Sequence, residues 1–217
     1  MMTGEQAGEL LRRADVFRLL ACAFAAPTGG EANGVRESFA EISTSAGAGR
    51  DLLGRCMQAA AHAWRACSDA TICQAYVHLF VPTGSVPLNE TVYRDGRLTD
   101  RAIELADLRG FYHMFDFPCR DGGELADHMS LELGFLGWLL TKEAYACQHG
   151  LNVQARTIAF AVGLFLERHL TCARVLETRI MERGADTAYC AMARLLGVAL
   201  ALERRRRRPW GASRRAG

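Results

Sequence analysis

The 217-residue chain lacks paired cysteines, long apolar runs and prolines in any number, and each absence removes a class of protein. Its eight cysteines (Cys22, Cys56, Cys67, Cys73, Cys119, Cys147, Cys172 and Cys190) include no Cys-x-x-Cys pair and no His/Cys cluster at zinc spacing. They read as buried thiols in apolar helical segments, which suits a reducing compartment better than a disulfide scaffold. No apolar run approaches the roughly 18 residues that a membrane span needs. With five prolines and half of its residues hydrophobic, the chain can build a core, and widespread disorder is not expected. There is no Gly-x-x-x-x-Gly-Lys-Ser/Thr loop, dinucleotide fingerprint or Gly-x-Ser-x-Gly elbow, so neither a nucleotide site nor an enzyme is expected. Nor does any stretch alternate apolar and polar residues as a strand would.

What remains is helical periodicity, so the expected fold class is all-α, with one globular domain over residues 1–203. Leu10, Phe17, Leu20 and Phe24 recur at helical spacing and define a first helix ending near Pro27. The same region contains Leu11-Arg12-Arg13-Ala14-Asp15-Val16-Phe17, which superficially looks like a twin-arginine export signal. Arg18 interrupts the apolar residues behind it, and the uncharged stretch from Leu19 to Ala26 is short for a signal core, so a cytoplasmic protein is expected. A short helix is expected within Thr28 to Gly49, and others over Asp51 to Cys67 and from a Ser68 or Asp69 cap to Phe80. Residues 81–97, with Pro82, Gly84, Pro87 and Asp95-Gly96, read as a central hinge loop. Further helices are expected over Thr99 to Met114, Glu124 to His149, Val153 to Arg183 and Asp186 to Arg204, with Gly150 and Gly184 as stops.

The net charge of +2 conceals an asymmetry. Residues 204–217 hold seven arginines and no acid, leaving 19 basic and 24 acidic groups in the body, near −5. The tail reads as a disordered like-charge block. An acidic body argues against nucleic-acid binding and permits a basic peptide ligand.

The helix expected from Glu124 is the most informative. Leu125, Met129, Leu133, Leu136 and Leu140 form one apolar stripe, and Leu131, Phe135 and Trp138 a second. Between them Asp127, Ser130, Gly134, Gly137 and Thr141 succeed one another at spacings of three and four, an acid heading a row of small side chains. On spacing alone, tight helix packing is the favoured reading. The functional reading puts Asp127 and His128 at the mouth of a groove, where a carboxylate meets an arginine and apolar walls hold a hydrophobic segment. His128 with Glu132 as metal ligands, or His128 oriented by Asp127 for catalysis, is weak, because adjacent helical side chains diverge by about 100 degrees.

Three segments in order, Tyr76-Val77-His78-Leu79-Phe80, Asn89-Glu90-Thr91-Val92-Tyr93 and Glu124-Leu125-Ala126-Asp127-His128, resemble the TorD/DmsD/NarJ family of molybdoenzyme maturation chaperones. Ala126 stands where a proline often precedes Asp-His in relatives, and Cys172-Ala173 where a tryptophan often succeeds a stretch like Phe165 to Leu170. The resemblance implies a TorD-like helical bundle and a cytoplasmic chaperone. Its partner would be a precursor in the dimethyl sulfoxide reductase superfamily carrying a twin-arginine signal peptide, which the chaperone protects from premature export while assisting cofactor insertion. Some relatives bind guanine nucleotides or the molybdenum cofactor. With no phosphate cradle in this chain no required cofactor is expected, and with no metal-ligand spacing no metal is expected. Candidate client-binding residues are Asp127, His128, Glu124 and Glu90 for charge, with Tyr93, Tyr76, Leu79 and Phe80. Core packing is the favoured role for Tyr76, Leu79 and Phe80, which share a helix face. A monomer or a dimer formed by helix exchange across the 81–97 loop fits the family. The alternative is a helical regulatory or scaffolding protein binding another protein partner.

Overall fold

The apolar periodicity resolves into nine helices among the residues that a computed structural model describes, namely 4–27, 31–45, 51–81, 86–94, 98–119, 124–183 and 188–207. They are α1 (Gly4–Phe24), α2 (Glu31–Ser45), α3 (Leu52–Arg65), α4 (Asp69–Phe80), α5 (Leu98–Met114), α6 (Met129–Gln148), α7 (Asn152–Arg168), α8 (Ala173–Arg183) and α9 (Ala188–Arg207). A single 3₁₀ turn, Glu90–Tyr93, lies between α4 and α5. No described residue belongs to a strand, as the all-α expectation requires; the one bridge joins Asn89 to His128. No helix among the described residues is long and apolar enough to cross a membrane.

Local chemistry sets several helix ends. The Asp51 carboxylate accepts the Gly54 N–H at 2.8 Å to start α3, and Ser68 accepts from Thr71 at 3.2 Å to start α4. Gly150 ends α6 in the left-handed region, at φ 69°, the stop expected from sequence. Gly184 and the Asp95-Gly96 turn lie outside the described residues.

Helix α6 is central because it is apolar on nearly every face: Leu133, Phe135, Leu136, Leu139 and Leu140 are completely buried. Helix α1 lies along one side and α7 along another. A Cβ on Gly137 would stand 2.9 Å from Arg18 Cγ and 3.1 Å from the Ala14 carbonyl oxygen, and one on Gly134 would meet Phe117 at 3.4 Å. The small-residue row therefore brings α1 and α6 into close contact, and its glycines do not line a groove open to a peptide. A ring cluster of Phe111, Tyr112, Phe117, Phe135 and Phe165 fills the space toward α5 and α7. At the other end α9 packs on α3 and α8. There Tyr189 is ringed by Trp64 (5.4 Å between centroids), Phe80 (5.2 Å), Tyr76 (6.2 Å) and Phe24 (6.3 Å).

The structure corrects four expectations. Helix α6 starts at Met129, not Glu124, because His128 is its N-cap. The helix expected over Val153 to Arg183 is two, broken where Leu170 takes a positive φ of 58°. No disulfide joins the eight cysteines, but Cys22 and Cys119 are exposed, and of the eight Cys147, Cys172 and Cys190 are buried. Finally, the first arginines of the expected tail continue α9. Arg207 grips Glu143 at 3.1 and 2.7 Å, and Arg204 donates to the Leu170 carbonyl at 2.9 Å. The cause is the pair of buried acids: Glu143 and Glu203 need cations, which Arg207 and Arg13 supply. Residues 208–217 lie outside the described residues.

Candidate functional site

The segment of residues 86–94, expected from sequence to be part of a hinge, is bound tightly to the start of α6. Val86 and Leu88 are buried, and the Leu88 carbonyl accepts the Met129 N–H at 2.8 Å, while the Asp127 carbonyl accepts the Glu90 N–H at 2.9 Å. The rest of the expected hinge, 82–85 and 95–97, is outside the described residues.

Asp127 makes this junction. Its side chain is fully buried, and its carboxylate accepts from Asn89 Nδ2 at 3.0 Å, the Thr91 N–H at 3.2 Å and the Thr91 hydroxyl. Three donors satisfy it, so it does not stand at the mouth of a groove awaiting an arginine, as the functional reading of its sequence position held. His128 is also buried, at 5% exposure. Its Nδ1 lies 2.7 Å from the Ser130 hydroxyl and accepts the Ser130 N–H at 3.3 Å, which leaves the proton on Nε2. Burial lowers its pKa against the opposing charges of Glu124 and Asp127, so the imidazole is neutral. His128 and Glu132 do not converge: His128 faces Ser130 and Glu124, whereas Glu132 faces Leu170.

Glu124 is the candidate acid that reaches solvent, its side chain 47% exposed and 3.8 Å from His128 Nε2. Leu125 beside it is exposed, and the Glu124 charge adds to the burial that pushes Tyr76 up to about 12. Tyr76 and Leu79 are buried and Phe80 half-buried, with Tyr76 and Phe80 in the cluster around Tyr189. Tyr93 donates to the Pro87 carbonyl at 2.7 Å, and the Arg179 guanidinium sits 4.9 Å over its ring. Tyr93 thus closes its own loop, and burial raises its pKa to about 12.

Glu90 points the other way, toward the break between α7 and α8. It is 1% exposed, and its Oε1 accepts the Thr171 N–H at 2.7 Å and hydroxyl at 2.6 Å, with Arg94 at 3.3 Å. Burial alone would raise its pKa, but His169, Thr171 and Arg94 outweigh it and hold the carboxyl at about 2. Beside it lie Glu132, wholly buried, and His169, 2% exposed. For Glu132 burial and the Glu90 charge act together and push its pKa well above the usual carboxyl value. An open depression of about 450 Å³ lined by Arg94, Glu104, Asp107, Arg168, His169 and Thr171 adjoins this group.

The structure therefore joins Glu90, Asp127, His128 and Glu124 along one junction and leaves Tyr76, Leu79 and Phe80 in a neighbouring aromatic cluster. Sequence reasoning missed Glu132 and His169 as partners of Glu90. A signal was present, since Glu132 is an acid within an otherwise apolar stretch of helix.

Residues 31–171, which include this junction, match the model of a protein family described as the nitrate reductase delta subunit. The chain belongs to that family. It is the NarJ/TorD-like family of molybdoenzyme maturation chaperones, a family of assembly factors and not of catalysts. The chain is also similar to a selenate reductase assembly chaperone protein of Thauera selenatis, 36% identical over 94 residues, which cover 43% of this chain and 47% of the relative. The chain thus spans about half the length of that relative.

Proposed function

We propose that the protein is a cytoplasmic assembly chaperone that binds the precursor of a molybdoenzyme catalytic subunit together with its twin-arginine signal peptide. It retains the precursor until the cofactor is inserted and makes or breaks no bond itself. Family membership over 31–171 carries this reading, and the likeness to a selenate reductase assembly chaperone supports it.

The peptide-binding surface is the exposed rim of the junction rather than its buried centre. Glu124 offers a solvated carboxylate for a guanidinium, and Leu125, Val92, Val77 and Val81 are exposed apolar side chains on neighbouring segments. A twin-arginine signal presents that chemistry, paired guanidinium groups beside an apolar stretch. Asp127, His128 and Glu90 shape the rim from beneath.

The test is affinity purification of the tagged protein from its native host under anaerobic, respiring conditions, and mass spectrometry of the captured proteins. Enrichment of a molybdoenzyme catalytic subunit still carrying its signal peptide is the expected result. Reproducible enrichment of unrelated proteins alone would overturn the proposal and favour a scaffolding role.

A further inference from the structure

Each of three buried side chains has one side-chain atom held by the protein and another turned toward the same point. Glu90 Oε1 is taken by Thr171 and Arg94, while its Oε2 lies 3.5 Å from His169 Nδ1. Glu132 Oε2 accepts the Leu170 N–H at 3.1 Å, and its Oε1 is buried without a partner. His169 Nε2 lies 3.2 Å from Asp107 Oδ2, and its Nδ1 is buried without a hydrogen bond. One ligating atom from each residue falls within 4.8 Å of the others.

With Asp107 taking the Nε2 proton, Nδ1 presents a lone pair, and two lone-pair donors on carboxyl groups face it. Such a set is repulsive unless a shared proton or a bound cation lies among its atoms. A carboxylate fixing the far nitrogen of a ligating imidazole is also the arrangement that orients metal-bound histidines.

We propose that Glu90, Glu132 and His169 bind one divalent first-row transition-metal cation. One nitrogen and two carboxylate oxygens suit zinc, ferrous iron or manganese, while the imidazole disfavours magnesium and calcium. The ligands come from the 3₁₀ turn, α6 and the α7–α8 break, so the cation would cross-link three segments remote in sequence. Ligand bonds of about 2.0–2.2 Å require the donor atoms to draw in by up to roughly an ångström on loading. Arg94, held by Glu90 and Glu104, borders the adjoining depression.

The experiment is calorimetric titration of tag-free, chelator-treated full-length protein with zinc, and anaerobically with ferrous iron and manganese, with metal content checked by mass spectrometry. One equivalent should bind to the wild type, and magnesium at the same concentration should not. Glu132→Gln retains an acceptor for the Leu170 N–H and should lower affinity at least about 10-fold. Asp107→Asn, at a partly exposed position, should lower it about 10–100-fold and decides the matter if the first variant does not fold. Absence of saturable uptake by the wild type would mean that the carboxyls share a proton instead, and would overturn the proposal; so would undiminished uptake by the folded variants. No client is involved, so the outcome is independent of the chaperone reading.

Discussion

The two buried ends of this protein are held together by different physics. Around Tyr189, Trp64, Phe24, Tyr76 and Phe80 meet at ring edges and faces with no charged group in the cluster. Around Glu90, Asp127, Glu132 and His169, three acids and an imidazole lie at most 2% exposed. Ring packing depends on area and shape and tolerates modest change. A buried polar junction depends on every donor finding its acceptor, and losing one member leaves the others stranded. The aromatic end thus supplies cohesion, and the polar end fixes how the 86–94 segment sits on α6.

Asp127 is where the contrast should show most strongly. Asp127→Ala strands Asn89 and both donors of Thr91, so it should cost about 3–5 kcal/mol in denaturant unfolding. A loss below about 1 kcal/mol would show that the junction is not what holds the loop. Acid should act on the same end. Glu90 has its pKa depressed on folding, from the usual 4.5 to about 2, so its stabilising effect is complete above the unfolded value and is lost as pH falls toward 2. That is worth about 3 kcal/mol. The unfolding free energy of Glu90→Gln should therefore fall less steeply than wild type between pH 4.5 and about 2. Glu132 has the opposite sign. Its folded pKa is raised, so in metal-free protein its contribution becomes unfavourable as pH rises above the unfolded value, and Glu132→Gln should flatten that decline.

At the aromatic end Phe80→Leu removes ring contacts but keeps most of the buried area, and should cost about 1 kcal/mol by thermal unfolding, with no change in pH dependence. The smallest effect belongs to the rim. Glu124→Gln should leave stability within about 0.5 kcal/mol of wild type and weaken binding of an arginine-pair peptide about 2–5-fold, measured by calorimetry. A stability loss with unchanged peptide affinity would assign Glu124 a structural role.

Much of this fold is readable along the chain because helices are local. The apolar spacing of Leu10, Phe17, Leu20 and Phe24 marks α1, Ser68 marks the start of α4, and Gly150 the end of α6. The site is readable only as motifs. Tyr76, Leu79 and Phe80 pack into the core as their shared face implies, whereas Asp127 and His128 precede α6 and are buried. No spacing rule announces that Asp127 will spend its carboxylate on Asn89 and Thr91, because those partners are 36 to 38 residues away.

The sequence by itself determined the helical class, the order of the helices, the apolar face each must bury and the family to which the chain belongs, because periodicity and motifs are written in neighbouring residues. Tertiary structure alone decided which charges are buried together. It turned Arg207, expected to lie in a disordered tail, into a partner of Glu143 and Glu203, and it brought Glu90, Glu132 and His169 to one point. Pairing of buried charge is set by distances between segments remote in the chain, and a linear pattern carries no record of those distances.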